Sequence, residues 1–385
     1  MSFLKKSESL EVISSVSFMA FLLLMTIFTG VGKVSNLFHL SIATMMMFWF
    51  IQRKKFSFPE SYPWKSMGVV ALFLIYYSVT NLWTNVPINI VSTLKHTVYL
   101  LFFVYMFDFC IKRYGSLKVY SFIFSGCFIV LILTFMLVDK NTIMTNRLEN
   151  GFFGAPKNVI DLGGYFALGI LSALIIARES GRHWIYLPAS LLFIGLVLTQ
   201  SRGPLLALLV SLVVLLAKYK HVHLRHVIYI LISIATISLF FYFTDYGSEF
   251  YERIVSSYAQ SFIRFGIWHH AISDALVHPY FGWGFDKQLT FVNSIGQHVI
   301  TTHSIYISAF LKGGVVGVLF MFSLIMAGLY QAYKKYHQGM GLEASIYLFS
   351  LMFFVTQGMF VIGGPGETWV LFWLPLAIVF SSRKA

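Results

Sequence analysis

Three side chains stand where proton or phosphate chemistry is possible. Ser201-Arg202-Gly203-Pro204 puts a guanidinium at the start of an apolar run. Pro204 suits a first helical turn, so the run's free backbone amides and its dipole point the same way as Arg202, which makes an anion site by simple electrostatics. An interfacial arginine that snorkels to the lipid headgroups is the plainer reading of the same residue. Arg264 is followed one helical turn later by Trp268, a pairing that sets a guanidinium beside an anion and an aromatic face beside a sugar. The plainer reading there is a cation on the wet side of an amphipathic helix. His303, in Thr301-Thr302-His303-Ser304, is of the residue type most often used as a general base near neutral pH, and it also suits a helix start.

Other ionisable residues are weaker candidates. Lys95, His96 and Lys312 fall inside apolar runs, where such groups are functional candidates or snorkel to the nearer surface. Lys312 is carried forward with Ser201 and Trp268 as a substrate-binding residue. His269, His270, His278, His298, Asp274 and Asp286 share a loop with His303, but none has a recognised metal-ligand spacing. The sequence also lacks an Asp-x-Asp or Glu-x-Asp pair of the kind that holds a metal against a sugar donor's phosphates. No metal site and no cofactor are therefore expected. Cys110 and Cys127 sit in apolar runs and read as packing residues. Gly363, Gly364 and Gly366 around Pro365, followed by Glu367, form a tight turn.

What must position these residues is a membrane protein. Of the 385 residues, 58% are hydrophobic and only 11% charged, against roughly 25% charged in soluble domains. Apolar runs predict twelve spans, at about 12–31, 37–51, 66–82, 90–111, 119–138, 160–178, 184–200, 204–218, 227–244, 310–330, 343–361 and 367–381. The first follows Lys5 and Lys6 without a small-residue cleavage site, so it is expected to be retained. The net charge of +13 would suggest nucleic acid in a soluble chain. Here the basic residues gather in alternate gaps, eighteen on one side and eight on the other. The positive-inside rule then puts both termini in the cytoplasm and removes nucleic acid as a partner. The fold class is all-α and polytopic, divided into spans one to nine (1–244), a large outer loop (245–303) and spans ten to twelve (304–385).

Two features shape the outer face. The eighth span is about 22 Å long, shorter than a hydrocarbon core of about 30 Å, so its Ser201-Arg202 end should lie below the outer surface. In the loop, Ile254, Tyr258, Phe262, Phe265, Trp268, Ile272 and Leu276 recur at helical spacing, which predicts an amphipathic helix on or dipping into the membrane surface. Pro279, Gly282 and Gly284 then break it. His221, His223, Arg225 and His226 form a basic cluster on the cytoplasmic side, read as a lipid-facing anchor.

With these residues in place, the sequence resembles the O-antigen ligase family of polytopic glycosyltransferases. The resemblance rests on the Ser201-Arg202-Gly203 turn, on Arg264-x-x-x-Trp268 running to Pro279, Gly282 and Gly284, and on His303. His303-Ser304 is followed at the family's spacing by Gly314 and Gly317, which meets the ligase branch's pattern in full. The resemblance implies a GT-C-like architecture and transfer of a finished glycan from undecaprenyl diphosphate to a sugar of the lipid A-core. It places that reaction at the periplasmic face of a Gram-negative inner membrane, among membrane lipids; the missing acidic pair and a diphosphate leaving group then fit a reaction without a metal, and attack opposite that group should invert the anomeric centre. It further implies that His303 is the base on the acceptor hydroxyl and that Arg202 and Arg264 grip the diphosphate. The related O-antigen polymerases share the architecture and are the nearest alternative. Protein O-oligosaccharyltransferases usually carry an added C-terminal region that this sequence lacks, and transporters or flippases tend to show interrupted helices in both halves. The oligomeric state is left open.

Overall fold

The computed structural model describes residues 2–29, 31–52, 62–84, 89–138, 147–148, 151–156, 158–216, 263–293, 296, 298–358 and 360–382. Within them the chain is mostly α-helical. In order, the helices are α1 (Ser2–Ile27), α2 (Ser35–Gln52), α3 (Trp64–Val79), α4 (Ile90–Tyr114), α5 (Ser116–Leu137), α6 (Val159–Ser180), α7 (Tyr186–Leu198) and α8 (Arg202–Leu216). Next comes α9 (263–275), in the loop. The last three are α10 (Ile305–His337), α11 (Gly341–Phe353) and α12 (Leu374–Phe380). Among the described residues, seven helical stretches are long and apolar enough to cross a bilayer, and four apolar helices are shorter. The expected ninth span, the loop positions Ile254, Tyr258 and Phe262, and the basic cluster at 221–226 lie outside the described residues.

Helix α6 runs through the middle of the bundle. From Asp161 to Ala177 every residue except Leu174 is buried. The small residues Gly163, Gly164, Ala167, Gly169, Ala173 and Ala177 let neighbours approach on all sides, the packing that replaces a hydrophobic drive inside lipid. An aromatic cluster of Phe18, Phe21, Phe38, Phe103 and Trp369 fills the space between α1, α2, α4 and the segment before α12, with Phe38 and Trp369 centroids 5.3 Å apart. At the far end of α6 from Asp161, Arg178 grips Glu343 of α11 through two hydrogen bonds of 3.0 and 2.6 Å. A charge-assisted fork of this kind ties two helices in one register.

Three expected spans depart from the sequence reading. The tenth was placed at 310–330, but α10 starts at Ile305 and is broken at Gly314, whose φ is 60° and ψ −161°. The eleventh was placed at 343–361, but α11 ends at Phe353. The chain beyond is held in irregular form by bonds such as Ile305 N to Phe354 O at 3.4 Å and Trp373 Nε1 to Val361 O at 2.6 Å. The twelfth opens as a π-helical turn at Trp369–Trp373. Pro375 explains this, because a proline has no N–H for the carbonyl four residues earlier. That carbonyl, on Leu371, accepts from the Ser350 hydroxyl at 2.6 Å.

The loop has a small core of its own: Ile267, Ala271 and Ala275 on one face of α9 pack with Leu289, Val299 and Leu311. A two-residue hairpin, β1 (Phe291–Val292) with β2 (His298–Val299), lies against it. The larger apolar side chains Phe265, Ile272 and Leu276 stay exposed. Small alanines face the hairpin, which leaves the bulky stripe outward, as an amphipathic helix at a lipid surface requires.

Candidate active site

The break between α7 and α8 is a built turn. Thr199 ends α7, its hydroxyl donating to Leu196 O at 2.7 Å. Gln200 has φ of 52°, a left-handed conformation that side chains other than glycine seldom adopt. Ser201 is buried, and its hydroxyl donates to Val159 O of α6 at 3.3 Å. Arg202 then opens α8 and is exposed. The helix starts two residues earlier than expected, with the Arg202 turn at its N-terminal end as the sequence reading has it.

His303 occupies a second strained turn, with φ of 50°. Thr302 fixes it from one side, its hydroxyl donating to Ser304 O and sharing a hydrogen bond with the Ser308 hydroxyl, each 2.7 Å long. Gly358 fixes it from the other: a Cβ there would fall 2.6 Å from His303 Cα, so only glycine admits the contact. The imidazole is half-buried immediately before the N-terminus of α10. Its pKa is lowered from 6.5, first by burial and then by the positive charge of Arg264. The positive end of the α10 dipole acts in the same direction. Arg264 is itself half-buried, and desolvation lowers its pKa from the ordinary guanidinium value.

The segment after α11 links the two turns. A Cβ on Gly203 would lie 3.2 Å from Thr356 Oγ1, and Gly358 is against His303. Between them Gln357 Nε2 donates to Asp161 Oδ1 at 2.9 Å, in the first turn of α6. Residues 356–358 therefore touch both the start of α8 and the backbone of His303.

Arg264 is held near His303 by the way the loop docks on α10. The break at Gly314 frees backbone groups that a straight helix would pair internally, and the chain after α9 takes them up. Val315 N donates to Pro279 O at 2.8 Å, Trp283 N to Leu311 O at 3.0 Å and Gly284 N to Lys312 O at 2.9 Å. The two backbones are so close that a Cβ on Gly282 would lie 2.5 Å from Gly314 N. Lys312 belongs to this junction: its ammonium donates to Phe285 O and, at 2.7 Å, to Lys287 O. The sequence suggests it as a substrate-binding residue; in the fold two of its three N–H groups meet the loop's main chain. From the α3 side, the Tyr77 hydroxyl donates to Ala309 O at 3.0 Å.

Trp268 is half-buried on α9, and its indole N–H is buried without a hydrogen-bond partner among the described residues. Several other loop groups are engaged within the loop, while His269 and His298 are exposed. His270 stacks on Phe291 with centroids 4.7 Å apart, His278 meets Trp283 edge-on at 4.1 Å, and Lys287 pairs with Asp274 at 3.1 Å. Among the described residues no three His, Cys, Asp or Glu side chains come together as a metal-binding group. Lys95 is exposed, and His96 lies by the glycine turn, its Nε2 3.6 Å from where a Cβ on Gly364 would be.

Sequence reasoning missed Arg147, which donates through Nε to Thr199 O at 3.1 Å and through Nη2 to Ser201 Oγ at 3.0 Å. It also missed Thr356, Gln357 and Gly358, because they were read as part of a continuous span. A Gln-Gly pair inside an apolar run was the available signal for a break.

Fold and site together define a polytopic α-helical membrane protein with an imidazole beside a guanidinium and a second guanidinium at a helix start. Residues 187–322 carry a domain that matches the family described as O-Antigen ligase. That stretch runs from α7 into α10 and contains Ser201, Arg202, Arg264, Trp268, His303 and Lys312. The chain is also similar to an O-antigen ligase of Pseudomonas aeruginosa, at 27% identity over 242 residues. The match covers 58% of this chain and 57% of the relative's length.

Proposed function

We propose that the chain is a membrane glycosyltransferase that joins a glycan carried on undecaprenyl diphosphate to a sugar of the lipid A-core, as an O-antigen ligase. The observation that carries this reading is the Arg264–His303 pairing inside the stretch that matches the ligase family. A lowered pKa keeps the imidazole neutral and able to accept a proton at ordinary pH.

In the proposed reaction His303 takes the proton of the acceptor hydroxyl as its oxygen bonds to the anomeric carbon of the donor sugar. The bond from that carbon to the diphosphate oxygen breaks, and its electron pair leaves with undecaprenyl diphosphate. Attack opposite the leaving group inverts the anomeric centre, and the imidazolium then returns its proton to water. Arg264 and Arg202, the latter with the amides that open α8, stabilise the charge on the departing diphosphate. A diphosphate is a good leaving group, so two guanidiniums and a helix end can do what a metal does elsewhere. The reaction is placed at the periplasmic face of a Gram-negative inner membrane, with the termini cytoplasmic, on the asymmetry of the basic residues. Twelve spans in a GT-C-like arrangement are part of the same proposal.

The test is the lipopolysaccharide profile of a strain lacking the protein, with and without the chain supplied. Bare core that gains glycan on complementation supports the ligase. Core bearing a single repeat in the deletion strain would make the protein an O-antigen polymerase, and an unchanged profile would remove both readings.

A further inference from the structure

We infer that Arg147 is a positioning residue for Arg202, acting through the turn that joins α7 to α8; this rests on the proposed role of Arg202 at the donor diphosphate. Arg147 reaches both sides of that turn. Its Nε bonds the carbonyl of Thr199, just past the end of α7, and its Nη2 bonds the hydroxyl of Ser201, the residue before Arg202. Beside it, Leu148 N donates to Leu198 O at 3.0 Å, and the Leu148 side chain is fully buried. Residues 147–148 are thus docked on the helix break by main chain and side chain together.

The turn needs such a brace. The last carbonyls of a helix have no partner within it and carry the negative end of its dipole, so a cation there is favoured. Gln200 is held at φ 52°, a conformation that persists only where surrounding contacts over-determine it. A planar guanidinium can meet two acceptors at a fixed separation, whereas an ammonium is a single point of charge. The fork of Arg147 sets Ser201, and Ser201 sets where α8 begins and which way Arg202 leaves the backbone. Loss of the fork should loosen the grip on the donor while leaving the acceptor side, at His303, as it is.

The experiment uses the purified full chain in lipid nanodiscs, with a prenyl-diphosphate-linked glycan as donor and lipid A-core as acceptor. Arg147→Lys keeps the charge and removes the fork. Its donor KM should rise about tenfold, the scale of coupling between residues in one hydrogen-bond network, with acceptor KM within about twofold of wild type. In an Arg202→Lys background the same change should add less than about twofold, because the residue being positioned has already lost its function. A merely structural role would cost the same in both backgrounds, and that result, or an unaltered donor KM, overturns the inference. Should Arg147→Lys not yield folded protein, Ser201→Ala carries the test. It should shift donor KM in the same direction by a smaller factor that vanishes in the Arg202→Lys background, and an unshifted value overturns the inference. Wild-type kinetics for Arg202→Lys alone would remove the donor reading itself, and the brace with it.

Discussion

The charge of Arg264 falls on the imidazole of His303, adding to burial in holding it below its ordinary pKa of 6.5. The pairing joins two distant parts of the chain. Arg264 comes from α9, which is anchored to α10 through the backbone junction at Gly314, and His303 comes from the turn just ahead of α10. One helix break therefore sets how the Arg264 guanidinium stands to the His303 imidazole, the proposed anion-binding group and base.

The pH profile of transfer should record this. In the proposed reaction the neutral imidazole is the active form, so the rate should fall as pH drops through the His303 pKa, and a lowered pKa moves that fall to the acid side of 6.5. Arg264→Gln removes the positive charge, which lets the proton bind more easily and shifts the acid limb to higher pH. Single-turnover rates measured from pH 4.5 to 8 would show both, whatever the absolute activity of the variant. An acid limb that Arg264→Gln leaves in place would separate the two residues.

Arg202→Lys and Arg264→Lys test the geometry of the diphosphate grip. Each keeps a positive charge and gives up the two-pronged fit to phosphate oxygens. Transfer should fall by about tenfold or more in each, with normal amounts of protein in the membrane. Wild-type rates in both would mean that any cation suffices.

The junction at Gly314 should be intolerant of a single methyl group. Gly282→Ala would set a Cβ 2.5 Å from Gly314 N, and Gly314→Ala would add strain at φ 60°, about 1–3 kcal/mol for a residue held in such a conformation. Both should lower the melting temperature in detergent and expose the loop to protease, whereas Gly68→Ala, at an ordinary helical position of α3 with open space around it, should leave the loop protected. Unchanged protection in Gly282→Ala would show that the loop does not depend on this contact.

Much of this architecture was legible in the sequence because lipid imposes a strong pattern. Long apolar runs locate helices, and the Ser201-Arg202-Gly203-Pro204 signature locates the start of α8 to within two residues. Arg264 and His303 could be singled out by type and place, although only the fold puts the charge of one on the ring of the other. What the apolar pattern hides is where a helix gives way inside a run. The breaks at Gly314 and after Phe353 depend on partners distant in sequence, Pro279 to Gly284 for the first and His303 with Ile305 for the second. Arg147 was invisible for the same reason: its role is set by two acceptors more than fifty residues away. Lys312 shows a further limit, since an ammonium in an apolar run suggests a ligand and gives no sign of the loop carbonyls that two of its N–H groups bond here.

The most direct test of the central claim is the transfer rate of His303→Ala with saturating donor and acceptor. Removal of a general base typically costs about a hundred to ten thousand fold, and Arg202 and Arg264 remain to hold the diphosphate. The account predicts a loss of that size in protein that is folded and still binds undecaprenyl diphosphate like wild type, with bare core and carrier-linked glycan accumulating in cells. Near-normal transfer by His303→Ala would contradict it.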